Sequence, residues 1–171
     1  MQIENRVLVA FASKYGATAE IANKIGQVLR KAGLEVDVLP FNRASDLSHY
    51  RAIIMGSAVY IGQWRREAVK FVIRNEKLLT ERQVWIFSSG PTGEGDAVEL
   101  VSGWKYPGRL KPAIERIHPN DIAIFHGLID TKRLNFLEKF MTGRVKAQAG
   151  DFRKWDAIDK WATEIAKTLT G

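Results

Sequence analysis

Four short runs of consecutive apolar residues, with helix-periodic stretches between them, constrain this chain more than any other feature of its sequence. They are Val7–Ala12, Ala52–Gly56, Val84–Phe87 and Ile122–Phe125. Each is shorter than a typical buried helix and carries β-branched or aromatic residues, so each reads as a strand covered on both faces. From Thr18 to Ala32 the apolar residues Ile21, Ala22, Ile25, Val28, Leu29 and Ala32 recur at helical spacing, and Gly33 supplies the stop. Arg65–Asn75 repeats that pattern with Ala68, Val69 and Val72. Trp155–Leu169 carries Ile158, Trp161, Ala162, Ile165, Ala166 and Leu169 on one stripe. Strands that alternate with helices in this way predict a parallel sheet with helices on both faces.

One strand differs. Leu34–Val38 alternates apolar and charged residues and Pro40 closes it, the pattern of a half-exposed strand at a sheet edge. With the second strand at an edge, the expected architecture is an α/β three-layer sandwich on a five-stranded parallel sheet of order 2-1-3-4-5, with Ile122–Phe125 last. The 171 residues suit one domain. The irregular stretches Gly93–Gly108 and Gly127–Gly150 read as insertions at one end of it.

Several kinds of chemistry are excluded early. The chain has no cysteine, which removes disulfides, thiol nucleophiles and thiolate metal sites. His49, His118 and His126 show no ligand spacing. There is no G-x-S-x-G, and His126 at the fifth strand end has no identifiable partner, so a serine hydrolase is not expected. No apolar run approaches a membrane span or a signal-peptide core, which predicts a cytoplasmic protein.

In an open parallel sheet, ligands bind beyond the carboxyl ends of the strands where the winding reverses, here between strands one and three. The loops that meet there begin at Ser13, Ser57 and Ser88. Ser13–Thr18 runs into a helix N-terminus, where free amides and the dipole favour an anion. The alternative is an ordinary turn with a threonine cap. In Ser57–Trp64, Tyr60 and Trp64 could stack on a planar ring, or Trp64 could pack under the next helix. Ser88–Gly93 offers backbone amides to a polar heterocycle, or is a plain Gly-Pro turn.

Charge adds a second theme. Twenty-six Lys and Arg against nineteen Asp and Glu give +7, a balance that favours acidic partners. Residues 131–148 alone carry five basic side chains (Lys132, Arg133, Lys139, Arg144, Lys146) and one acid, Glu138. Leu134, Phe136, Leu137, Phe140, Met141 and Val145 occupy about half a helical wheel there. Such a helix can lie on an anionic membrane, peripherally on the inner face of the cell membrane, or can pack on the domain with a solvated basic face. No nucleic-acid signature accompanies the charge, and nucleic acid is not expected as a partner.

The motif Ser13-Lys14-Tyr15-Gly16-Ala17-Thr18 resembles the phosphate signature of flavodoxins, [T/S]-x-[T/S/Y]-G-x-T. With G-S-A-V-Y-I-G and F-S-S-G-P-T-G in register, Val7–Gly93 resembles a flavodoxin domain throughout. Leu134–Met141 and Gly150–Asp156 are similar to the flavodoxin-like branch that contains menaquinone-dependent protoporphyrinogen dehydrogenase. The resemblance implies FMN as cofactor, with Ser13, Lys14, Tyr15, Gly16, Ala17 and Thr18 on its phosphate. Ala58, Val59, Tyr60, Ile61 and Gly62 would line one face of the isoalloxazine, and Ser89, Gly90, Pro91, Thr92 and Gly93 its other edge. It implies an oxidoreductase that passes electrons to a quinone, or alternatively a soluble carrier that docks on redox partner proteins. Electron-shuttling flavodoxins are strongly acidic and this chain is basic, which predicts a less negative flavin couple.

Overall fold

The computed structural model describes residues 6–130, 132 and 149–171. Five strands form a parallel sheet: β1 (Arg6–Ala12), β2 (Glu35–Pro40), β3 (Ala52–Tyr60), β5 (Gln83–Ser89) and β6 (Asp121–Phe125). Their order is β2-β1-β3-β5-β6, the expected one, because the intervening β4 (Gln63–Trp64) is only a two-residue antiparallel return off the end of β3. The edge position of β2 follows from its alternation. Pro40 is the last residue of the strand, in register with Phe11, which an edge allows because no further ladder needs its missing N–H.

Successive residues of the central strands face opposite layers. Leu8, Ala10, Ile53, Met55, Val84 and Ile86 face one way and are fully or almost fully buried. They pack on α2 (Arg66–Leu79) and α4 (Lys111–Ile117) through Ala68, Val69, Val72, Ala113, Ile114 and Ile117. Val7, Val9, Ala52, Ile54, Trp85 and Phe87 face the other way, onto α1 (Ala17–Lys31) and α5 (Trp155–Thr170). Trp161 is edge-on to both Phe87 and Phe125. Two apolar layers on one sheet give the three-layer sandwich.

Four elements depart from the expectation. α2 runs on to Leu79, which is buried, rather than stopping at Asn75. The stretch after Gly93 is not wholly irregular: α3 (Ala97–Leu100) is capped by Asp96, whose carboxylate accepts from the amides of Val98 and Glu99. α4 was not anticipated, although Ala113, Ile114 and Ile117 carry its buried face and Leu110 caps it. Ile122–Phe125 is not the last strand: β7 (Leu128–Ile129) pairs antiparallel with β8 (Gly150–Asp151). The basic segment 131–148, except Lys132, lies outside the described residues.

Candidate functional site

Beyond the carboxyl ends of β1, β3 and β5 lies a cavity of about 470 Å³. That is within the size range of small-molecule and cofactor sites. Its position follows from the register, in which Ala12 pairs with Ser57 and Ser57 with Ser88, so β1 and β5 end close to level while β3 runs on to Tyr60 beyond them.

The first wall is the β1–α1 turn. Gly16 is the N-cap of α1 at φ +94°, a conformation that L side chains rarely adopt, and no side chain caps the helix. Thr18 is therefore not the cap. It lies inside the helix, 2% exposed, and its neighbour Ala17 opens the first turn. The Ser13 hydroxyl accepts from the Gly16 amide at 2.9 Å and tightens the turn. Ser13, Lys14, Tyr15, Ala17 and Thr18 all line the cavity, and Gly16 is outside the lining. The first amides of α1 have no partner within the helix and form an anion-binding end.

The second wall comes from the β3–β4 hairpin. Ala58, Val59 and Tyr60 line it, with Tyr60 42% exposed at the mouth. Ile61 and Gly62, both at positive φ, form the two-residue turn and lie outside the lining. Gln63, Arg65, Arg66 and Glu67 also line the cavity without having been expected there, and Trp64, which was weighed as a stacking residue, lines it as well. Trp64 is 3% exposed and its indole N–H donates to Ser88 Oγ at 2.8 Å, so its body packs in the α2 layer. Ser57 is fully buried and serves the backbone, donating to the Ala58 carbonyl and accepting from the Arg65 amide.

The third wall is Ser89 and Gly90 at the end of β5. A Cβ on Gly90 would come within 3.0 Å of Val59 Cβ. Pro91, Thr92 and Gly93 continue away from the lining. The Pro91 carbonyl accepts from the Gly127 amide, and Thr92 Oγ1 is buried without a hydrogen-bond partner among the described residues. Gly127, Leu128, Ile129 and Asp130 close a fourth side that local sequence did not reveal. His126 is 4% exposed with Nε2 2.9 Å from the Gly95 carbonyl, a structural contact.

The cavity carries cations on its rim. The Arg65 guanidinium pairs with Glu67 at 2.7 Å. Burial alone would raise the Glu67 carboxyl, but the hydrogen bond and charge of Arg65 outweigh it and hold the group below the usual range. Lys14 lies over the Tyr15 ring, and Arg66 is exposed at the first residue of α2. An anion-binding helix end, apolar side walls and close backbone approaches suit a ligand with one anionic end and a flat apolar body. Among the described residues, no helix is long and apolar enough to cross a membrane.

A doubly wound sheet of this order with its cavity at the reversal defines the flavodoxin fold. An archaeal flavodoxin superposes with a TM-score of 0.63 at 15% identity, covering 97% of this chain and 99% of its own. Oxidised flavodoxin 2 from Bacillus cereus gives 0.58 at 20% identity over 96% and 97%. The model for the flavodoxin domain matches residues 8–156, and the chain belongs to that family. Among curated proteins it is similar to "Protoporphyrinogen IX dehydrogenase [quinone]" of Escherichia coli K12, 21% identical over 94% of each chain.

Proposed function

We propose that this chain binds one FMN and oxidises protoporphyrinogen IX or a closely related substrate, delivering the electrons to a quinone. The observation that carries the reading is the 470 Å³ cavity, with an uncapped helix end on one side and apolar walls on the other. Ser13, Lys14, Tyr15, Gly16, Ala17 and Thr18 would hold the phosphate with backbone amides and hydroxyls. Ala58, Val59, Tyr60, Ile61 and Gly62 would form one face of the ring site. Ser89, Gly90, Pro91, Thr92 and Gly93 would form its other edge, where the buried Thr92 hydroxyl lacks a partner among the described residues. Bound FMN supplies the reversible redox centre that no side chain here provides. The cavity walls would orient the ring and keep water from it, and the half-exposed Tyr60 stands where a second reactant would approach.

The resemblance of the chain to the E. coli enzyme over 94% of both lengths supports the choice of substrate and acceptor. The test has two stages. Purified protein reconstituted with FMN is expected to show flavin absorbance and quenched fluorescence. Failure to bind at micromolar FMN rejects the cofactor. Steady-state oxidation of protoporphyrinogen IX with a menaquinone analogue then tests the reaction. A flavin-loaded protein that is inert in this assay, yet exchanges electrons with redox proteins, is a carrier.

A further inference from the structure

Arg153 lies far along the chain from the β1–α1 turn but is built into it. Its side chain is only 7% exposed. One terminal nitrogen donates to the carbonyl of Ala17, the first residue of α1, at 3.3 Å, and also meets the Glu20 carboxylate. The other nitrogens grip Asp151 bidentately, Nε at 2.9 Å and the second terminal nitrogen at 2.8 Å. The guanidinium stacks over Trp155 at 4.8 Å. Asp151 belongs to β8, which pairs with Leu128 of β7. Through β8, Arg153 therefore ties the first turn of α1 to β7, whose residues belong to the fourth wall of the cavity.

Two consequences follow. The peptide from the Ala17 carbonyl to the Thr18 amide is a rigid plane, so a donor that fixes the oxygen also fixes the direction of that N–H. In a helix the N–H points toward the N-terminus, which is the anion-binding end. Glu20 and Asp151 are also two carboxylates at that end, and the cation between them removes most of their repulsion toward an incoming anion. Their hydrogen bonds and charges raise the Arg153 guanidinium further above its already high range, so it stays charged at every working pH.

We propose that Arg153 is a positioning residue that lets this site distinguish a phosphorylated flavin from its unphosphorylated parent. The inference rests on the FMN reading above. It is tested by titrating apo-protein with FMN and, separately, with riboflavin, following fluorescence quenching. Wild type is expected to prefer FMN strongly. In Arg153→Met, which leaves Glu20 and Asp151 unpaired, FMN affinity should fall about tenfold or more, and riboflavin affinity by less than about threefold. Arg153→Lys keeps the charge but loses the planar fork, so its FMN loss should be intermediate. Should the Met variant fail to fold, by circular dichroism, the Lys variant carries the comparison. Equal losses for the two flavins, or none for either, overturn the proposal. Wild type that binds neither flavin rejects the cofactor reading itself, and preference for FMN that survives in both variants rejects only the role of Arg153.

Discussion

The indole N–H of Trp64 donates to the hydroxyl of Ser88 across the interior, 2.8 Å away, and joins the β3–β4 hairpin to the end of β5. Both residues are almost completely buried, so neither group has water as an alternative partner. Trp64→Phe strands the Ser88 hydroxyl and is expected to cost about 1–3 kcal/mol in urea unfolding. Adding Ser88→Ala should recover part of that loss, and a double-mutant cycle would measure the coupling.

Gly56 allows close packing where β3 crosses Phe87. A Cβ there would stand 1.9 Å from Phe87 Cζ, and both residues lie in the interior of the sheet. Gly56→Ala should destabilise the fold by about 1–3 kcal/mol or more. In a Phe87→Leu background, which frees the space, the same change should cost less, as chemical denaturation of the two pairs would reveal.

Gly16 is a different case, since a Cβ there meets open space but the backbone is at φ +94°. Gly16→Ala should cost about 1–2 kcal/mol from conformation alone. It should also weaken FMN more than riboflavin, because the strain falls on the turn that presents the first amides of α1. Parallel titrations with the two flavins check this.

The Tyr50 hydroxyl donates to Asp37 at 2.5 Å, with Arg6 on the same carboxylate at 3.1 Å. Burial, then the hydrogen bond to Asp37, pushes the Tyr50 phenol up to about 12 from 10. A raised acid keeps its proton longer in the folded state than in the unfolded one, so its contribution is full below pH 10 and declines between about pH 10 and 12. Asp37 is held below its ordinary range, first by the Tyr50 hydrogen bond and then by Arg6. Its contribution is present above about pH 4 and is lost as pH falls through the lowered value. Melting temperatures measured against pH should fall on both flanks, and Tyr50→Phe should flatten the alkaline one.

Arg66 is exposed on the cavity rim and has no ion-pair or hydrogen-bond partner among the described residues. A free cation there favours the more negative, reduced state of bound flavin. Arg66→Glu should make the midpoint potential more negative by on the order of tens of millivolts at low salt, with a smaller shift near about 0.5 M. Redox titration of the reconstituted variants decides it, and a potential that does not move would mean that hydrogen bonds at the ring outweigh the charge.

Much of this protein is written locally in its sequence. Apolar runs such as Val7–Ala12 fix the buried strands, because only a strand covered on both faces tolerates unbroken apolar residues. The alternation of Leu34–Val38 fixes the edge, and with it the sheet order. The Ser13–Thr18 turn is also local: a glycine at positive φ, a serine that accepts from it and a helix that begins at once. Tertiary structure alone decided the rest. Whether Trp64 faced a ligand or the core depended on a hydroxyl 24 residues away. The wall Gly127–Asp130, the pairing of β7 with β8 and the contact of Arg153 with Ala17, 136 residues apart, have no local signature. Periodicity records which side of a segment is buried. It does not record which distant segment buries it, because that choice is made by the packing of the whole chain.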